Sequence, residues 1–330
     1  MTVSPLLVSP LVKNLGAIAY TFTLYALGVL LITVQPWQWN IVGVILLVHA
    51  LLLSATFTHE FIHGNIFKDR QLNAFWGQAM THLNGGCYAT WDALVEHHFN
   101  HHLHHADFVG FDFLKYFNMM NPWLRSIYVV LEWLYFPIFE FELRWRVILA
   151  PWLEADKRSL QGRAIALMLY RMTAFAVLAW ISWKALLLYC VAYISFVNVM
   201  RFADAFHHTY DYAIVGQEFP KRDRLYEQEH TFSNLVSVKY PWLNLLFLNF
   251  GYHNAHHHNM SCPWHELPEL HQKLYSDQGG GLLPLPQLVS NYHRFRLYRL
   301  FSGQGDATLD DNAVSSPFTG GVGVSFLTPP

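Results

Sequence analysis

Charge is what this sequence has least of. Of its 330 residues only 13% are Asp, Glu, Lys or Arg, about half the roughly 25% of an ordinary soluble domain. Cysteine is scarce too: Cys87, Cys190 and Cys262 lie far apart in no paired motif. That excludes a disulfide framework, an iron–sulfur cluster and a thiolate zinc site. Basic residues are not in excess, 21 against 23 acidic ones for a net charge of −2, so no nucleic-acid partner is expected. No dinucleotide fingerprint opens a helix, because Gly279-Gly280-Gly281 and Gly320-Gly321-Val322-Gly323 lack a strand–turn–helix context. What is abundant is apolar surface, 53% of residues with 16% aromatic, and histidine, 20 residues. The aromatic content excludes a disordered or fibrous chain, and a mean hydropathy of +0.19 points to a membrane protein with large aqueous parts.

Residues 15–34 form an uncharged run of twenty, enough to span a hydrocarbon core of about 30 Å and too long for a signal-peptide core. A short turn with Trp37 and Trp39 follows, of the kind found at membrane interfaces, and then a second run, 41–57. A later apolar block broken at Trp183-Lys184 splits into 164–183 and 185–203, with Arg171 needing a partner inside it. The pieces 127–139 and 242–250 are too short to span, and the first reads as interfacial or re-entrant. Lys and Arg crowd into 58–163 and the region after 203, while the two short connections on the other side hold only Lys184. By the positive-inside rule both large segments and both termini are cytoplasmic. The expected fold is an all-α integral membrane protein: four transmembrane helices in two hairpins under a cytoplasmic helical cap. A single domain covers 1–301, and a Ser-, Gly-, Asp- and Thr-rich tail, 302–330, is expected to be disordered.

Fourteen of the twenty histidines fall in four clusters, all on the side predicted cytoplasmic. His59-Glu60-Phe61-Ile62-His63 places two imidazoles at i and i+4, on one helical face. His98-Phe99-Asn100-His101-His102 repeats this at i, i+3 and i+4, and so does His253-Asn254-Ala255-His256-His257. The fourth cluster, Asp204-Ala205-Phe206-His207-His208, offers a carboxylate with an imidazole four residues on. One such pair alone is ordinarily structural. Three repeats and a fourth cluster on one membrane face are not coincidence, and eight or nine imidazoles exceed one ion's needs, which predicts two adjacent metal ions. His49, His82, His265, His271 and His293 read as structural or exposed, and His230 is divided between support of the site and surface.

At these residues the chain resembles the membrane-bound fatty acid desaturase superfamily, which also contains hydroxylases, acetylenases and terminal-alkene-forming relatives. The resemblance covers roughly 15–300, with HEFIH, HFNHH and HNAHH in the expected order and two helices between the second and third boxes. It implies His59, His63, His98, His101, His102, His253, His256 and His257 as ligands of two iron ions (Fe2+/Fe3+), with dioxygen as co-substrate. A fourth element that carries Asn and His in acyl-CoA desaturases corresponds here to Asp204 and His208; the resemblance implies His208 as a ninth ligand, while Asp204 departs from the family's Asn, which leaves open contact with a metal directly or through water. The second box could also be registered on His101, His104 and His105; the first register is preferred because it places Asp107 and Asp112 where relatives carry acidic residues. Glu60, Glu96, Asp107, Asp112, His230 and Asp204 are candidate supports of the ligands, and His97, His104, His105, His207 and His258 are alternative ligands. No catalytic side chain is expected beyond the metal centre.

The implied reaction is oxygen-dependent oxidation of a fatty acyl chain in the bilayer, first of all desaturation, with hydroxylation, acetylenation or alkene formation as alternatives. The substrate would be a free acid or an acyl group on acyl carrier protein, CoA or lipid. Electrons would come from a separate ferredoxin or small cytochrome. Two remote readings compete. His59-Glu60-x-x-His63 is literally the pattern of a zinc metalloprotease, and histidine-rich loops also serve metal transporters.

Overall fold

The computed structural model describes residues 9–110, 112–275, 279, 281–302, 309–310, 313–314 and 318–322. A backbone in hydrocarbon must satisfy its hydrogen bonds within itself, and the four apolar runs do so as helices long and apolar enough to cross a membrane. The helix α1 (Pro10–Thr33) starts on Ser9, whose hydroxyl accepts from the Val12 N–H, with proline in its first turn. Next, α2 (Trp37–His63) ends where Gly64 turns left-handed at φ 73°. The other two spans are α8 (Gln161–Ile181), entered through a 3-10 turn Ala155–Leu160, and α9 (Trp183–Asp204).

Side-chain contacts order these spans. Gly28 and Gly43 bring α1 and α2 together so closely that a Cβ on Gly43 would lie 2.9 Å from the Ile32 amide nitrogen and 3.0 Å from the Gly28 carbonyl. Ile32, Leu47, Ala185 and Tyr189 interlock α1, α2 and α9. The Lys184 ammonium donates to the Val34 carbonyl at 2.9 Å and to Asn40 Oδ1 at 2.8 Å, so both short connections meet at one end of the bundle. The opposite end carries the C-termini of α2 and α9. Along α8 only Ala164 is buried, leaving Leu169, Met172 and Trp180 outward, as lipid-facing residues should be. Arg171 finds its partner in the His82 carbonyl, 2.8 Å away.

The cap is built from short helices: α3 (Arg70–Asn84), α4 (Trp91–His104), α5 (Phe113–Met119), α6 (Pro122–Trp133), α7 (Ile138–Leu153), α10 (Arg224–Glu229), α11 (His253–His258), α12 (Leu267–Leu274), α13 (Leu285–Arg294) and α14 (Arg299–Ser302). The apolar piece at 127–139 spans α6 and the turn after it. Trp123, Ile127, Val130 and Leu134 are exposed at helical spacing, a stripe suited to lying along a membrane interface. The opposite face of α6 carries Glu132, which is buried and paired with Arg201 of α9 at 3.0 Å. The piece at 242–250 becomes a 3-10 turn, Pro241–Phe247, not a span.

The expected all-α class holds, with two short strand pairs beside the helices: β1 (Asp107–Val109) pairs in parallel with β2 (Tyr212–Ile214), while β3 (Leu309–Asp310) pairs with β4 (Ala313–Val314). Two expectations change. The sequence predicts a second span that stops at 57, but α2 continues to His63, so the first histidine pair lies on the spanning helix itself. The tail expected to be disordered lies mostly outside the described residues, yet Phe318, Thr319 and Val322 within it are buried.

Gly43→Leu is expected to force α1 from α2, because backbone atoms cannot yield as a flexible side chain does. Overpacking of this kind costs about 1–3 kcal/mol, read as a lowered melting temperature in detergent micelles. An unchanged melting temperature would contradict the close approach.

Candidate metal centre

Four local structures bring the histidines to one place. The last turn of α2 presents His59 and His63. Thr90 caps α4 by accepting from the Ala93 N–H, and the helix then buries Leu94, His97, His98, His101 and His102 on one face. His207 and His208 follow the end of α9, where an isolated bridge pairs His208 with Thr231. The single turns of α11 bury His253, His256 and His257.

All nine histidines expected as ligands converge. The ligand nitrogens of His59, His63, His98, His102 and His256 lie within 4.8 Å of one another, and those of His101, His208 and His257 form a second such group. His253 joins the second through its Nε2, 2.8 Å from that of His208. Other Nε2–Nε2 separations are 2.8 Å (His63 to His98), 3.1 Å (His98 to His102), 3.1 Å (His101 to His208) and 3.3 Å (His102 to His256). An imidazole nitrogen carries either one proton or one lone pair and serves one such partner at a time. Yet His98 Nε2 faces both His63 and His102, and His208 Nε2 faces both His101 and His253. A closed hydrogen-bond network cannot account for this. Two nitrogens bound at about 2.0–2.1 Å to one cation would stand about 2.9–3.4 Å apart, and these spacings fit that. His257 Nε2 is buried with no hydrogen-bond partner among the described residues. Burial first, and neighbouring imidazoles second, hold His98, His102, His208, His253, His256 and His257 well below the usual histidine range. They are therefore neutral, with lone pairs free for a metal ion.

Outer contacts fix the rings. His101 Nδ1 lies 3.1 Å from both the Ala106 carbonyl and Asp107 Oδ1, a carboxylate–histidine pairing that orients a ligand and raises its basicity. Glu60 accepts from the Trp264 N–H at 3.1 Å, deep in the protein. Committed in this way, its carboxylate is not placed as the water-activating base of a protease. Asp204 lies 3.6 Å from His207 Nδ1. His207, an alternative ligand, donates from Nε2 to Asn234 Oδ1 at 2.7 Å and stacks on His253 at 3.9 Å. It therefore braces a ring instead of entering either group. The His230 side chain turns to its own helix, 2.8 Å from the Tyr226 carbonyl.

Several candidates fall elsewhere. Glu96 is exposed, two residues before His98 and so on the outward side of α4. Asp112 is exposed and caps α5, accepting from the Lys115 N–H at 2.8 Å. His104 is exposed beside Phe108, and His258 is exposed, 2.8 Å from Arg224. His105 caps α4 in a left-handed conformation, and His97 is buried but in neither group. Sequence reasoning missed Glu227, whose Oε1 accepts from His257 Nδ1 at 3.0 Å and lies 3.4 Å from His105 Nδ1. Burial pushes its carboxyl up to about 7, opposed by the Arg224 guanidinium. It also missed Thr231 and Tyr210: the Thr231 hydroxyl stands 3.4 Å from His208 Nδ1, and Tyr210 stacks on His208 at 4.2 Å. No spacing rule marks these residues.

A cavity of about 490 Å³ reaches His208. Phe113, Phe139, Leu143, Val147 and Ala150 give it an apolar lining. Its exposed lining lies at Gly110, Leu153 and Glu154, with Lys157 half-buried beside them, and its buried lining includes Ala205 and His208. Two basic residues here are paired, Arg146 with Glu142 and Lys157 with Glu154, each at 2.8 Å.

A family model described as fatty acid desaturase matches residues 36–287. No curated protein and no solved structure matches the chain.

His98→Ala is expected to lower bound metal by about half or more, while His104→Ala leaves it unchanged; metal analysis of the purified variants decides, and equal losses would contradict the grouping. Glu227→Gln keeps the shape but weakens the hydrogen bond to His257, and metal affinity is expected to fall about 10–100-fold. Undiminished affinity in a competitive chelator titration would remove Glu227 from the site.

Proposed function

Because the chain belongs to the fatty acid desaturase family, a family of oxidoreductases, we propose that it oxidises a fatty acyl chain with dioxygen at a di-iron centre, introducing a carbon–carbon double bond. The observation that carries this reading is the convergence of nine buried or half-buried imidazoles beside an apolar cavity that reaches one of them, His208. His59, His63, His98, His102 and His256 would hold one iron, and His101, His208, His253 and His257 the other. Bound iron would supply the dioxygen activation needed to remove hydrogen from an unactivated methylene, which no side chain can do.

The rest is work for the protein's own residues. The lining from Phe113 to Ala150 would exclude water and hold methylenes in line with His208, and this alignment selects the carbon attacked. Asp107 and Glu227 would hold His101 and His257 in the tautomer that points Nε2 inward. Hydroxylation, acetylenation and alkene formation differ from desaturation in how the acyl chain lies by about an ångström. Two electrons would come from a separate ferredoxin or small cytochrome, docking on the histidine-bearing end. The excess of Lys and Arg in 58–163 and after 203 supports a cytoplasmic position for that end.

Metal analysis of the purified protein, joined to product identification from cells fed deuterated fatty acids, tests the reading. About two irons per chain are expected, with a product that has lost two hydrogens. Chelation should abolish the activity and added Fe2+ restore it. One zinc, no iron and unchanged lipids would overturn the proposal.

A further inference from the structure

The tail contributes a segment to the cavity that composition alone assigns to solvent. Phe318 packs between Phe206 and Phe232, with ring centroids 5.2 Å from each. Gly320 has φ +83°, and a Cβ there would stand 3.0 Å from the Phe206 ring and 3.1 Å from the Ala205 carbonyl. The Gly321 N–H donates to the Ala205 carbonyl at 2.8 Å. Arg201 Nε donates to the Val322 carbonyl at 2.8 Å, while Arg201 Nη1 is paired with Glu132, all of it buried. Val322 packs with Phe113, Phe117 and Phe139. Gly321 and Val322 line the cavity together with Asp204, Ala205 and His208. These residues are more than a hundred positions apart in the chain, yet form one wall beside the second imidazole group.

We propose that residues 318–322 are the inner wall of the acyl cavity, and that the Val322 side chain determines how far an acyl chain passes the metal centre. Val322 is then a specificity-determining residue, for both the chain length accepted and the carbon oxidised. The inference rests on the acyl-oxidising reading above. It does not depend on which oxidation occurs, because the wall is apolar and acts on the chain's extent. Backbone hydrogen bonds on Gly321 and Val322 keep the wall in place whatever side chain occupies position 322.

The test uses the full-length protein in detergent. Saturated fatty acids of twelve to eighteen carbons compete with a fluorescent fatty acid for binding, and products are identified from cells fed the same acids. Val322→Trp is expected to weaken the longest acid about tenfold and the shortest hardly at all, since a pocket discriminates single methylenes by factors of about ten or more. Its products should shift to shorter chains or to a carbon nearer the methyl end, with wild-type iron content. Val322→Ala should shift the profile the opposite way, and it carries the test if the tryptophan variant does not fold. If the wild type binds and oxidises these acids but both variants keep its length profile and position, the wall inference fails and the functional reading stands. If the wild type neither binds nor oxidises any of them, the functional reading fails and the inference with it.

Discussion

Everything in this molecule answers to one electrostatic constraint: lone pairs of many neutral imidazoles pointed at each other in a space without water. Leaving a buried polar atom unsatisfied costs about 1–3 kcal/mol, and here the Nε2 atoms crowd to 2.8–3.3 Å with too few protons to pair them. Only positive charge placed among them offsets that cost. Burial drives the same way, because it holds the rings neutral and so keeps their lone pairs available. The cluster is therefore a site that opposes its own assembly until it is filled.

The scaffold supplies the opposing stability. Two of the four contributing segments are the ends of spanning helices or follow them directly, and those helices are locked by the glycine contact of α1 with α2 and by Lys184 at the far end. The cap is joined to the bundle by buried charges with committed partners. Arg144 meets Glu140 at 3.2 Å, the Asn84 carbonyl and the Tyr193 hydroxyl, while Arg201 meets Glu132. Arg163 draws three carbonyls, those of Cys87, Tyr88 and Ala89, to one guanidinium. Removing one partner of the buried Arg201–Glu132 pair leaves an uncompensated charge, a cost of about 3–5 kcal/mol, so the cap is not free to drift relative to the spans.

Much of this was legible in the sequence because it is periodic. A hydropathic run reports a span, and i, i+3, i+4 histidines report a helical face, so four spans and nine converging imidazoles could be located before any coordinates. What was illegible is what depends on contact across the chain. Glu227 and Thr231 lie in a polar stretch without pattern, and they matter only because α11 and the end of α9 fold against them. Glu96 and Asp112 were misassigned for a related reason: proximity in sequence to the second cluster says nothing about which side of α4 a carboxylate occupies, or whether it is spent on a helix cap. The polar tail shows the limit most clearly. Its packing uses backbone hydrogen bonds and two apolar side chains, Phe318 and Val322, too few for composition to weigh.

The distribution of imidazoles along the chain also sets an order of events in biosynthesis. Each group draws a member from α11, His256 in one and His257 in the other, and from α4, some 150 residues earlier. Neither group can close until translation has passed residue 258, by which time all four spanning helices have left the ribosome. Any ion these groups hold would therefore be taken up only after the spans have been made, as a separate maturation step. A chain interrupted before α11 keeps its membrane anchor but never gathers the complete set of imidazoles.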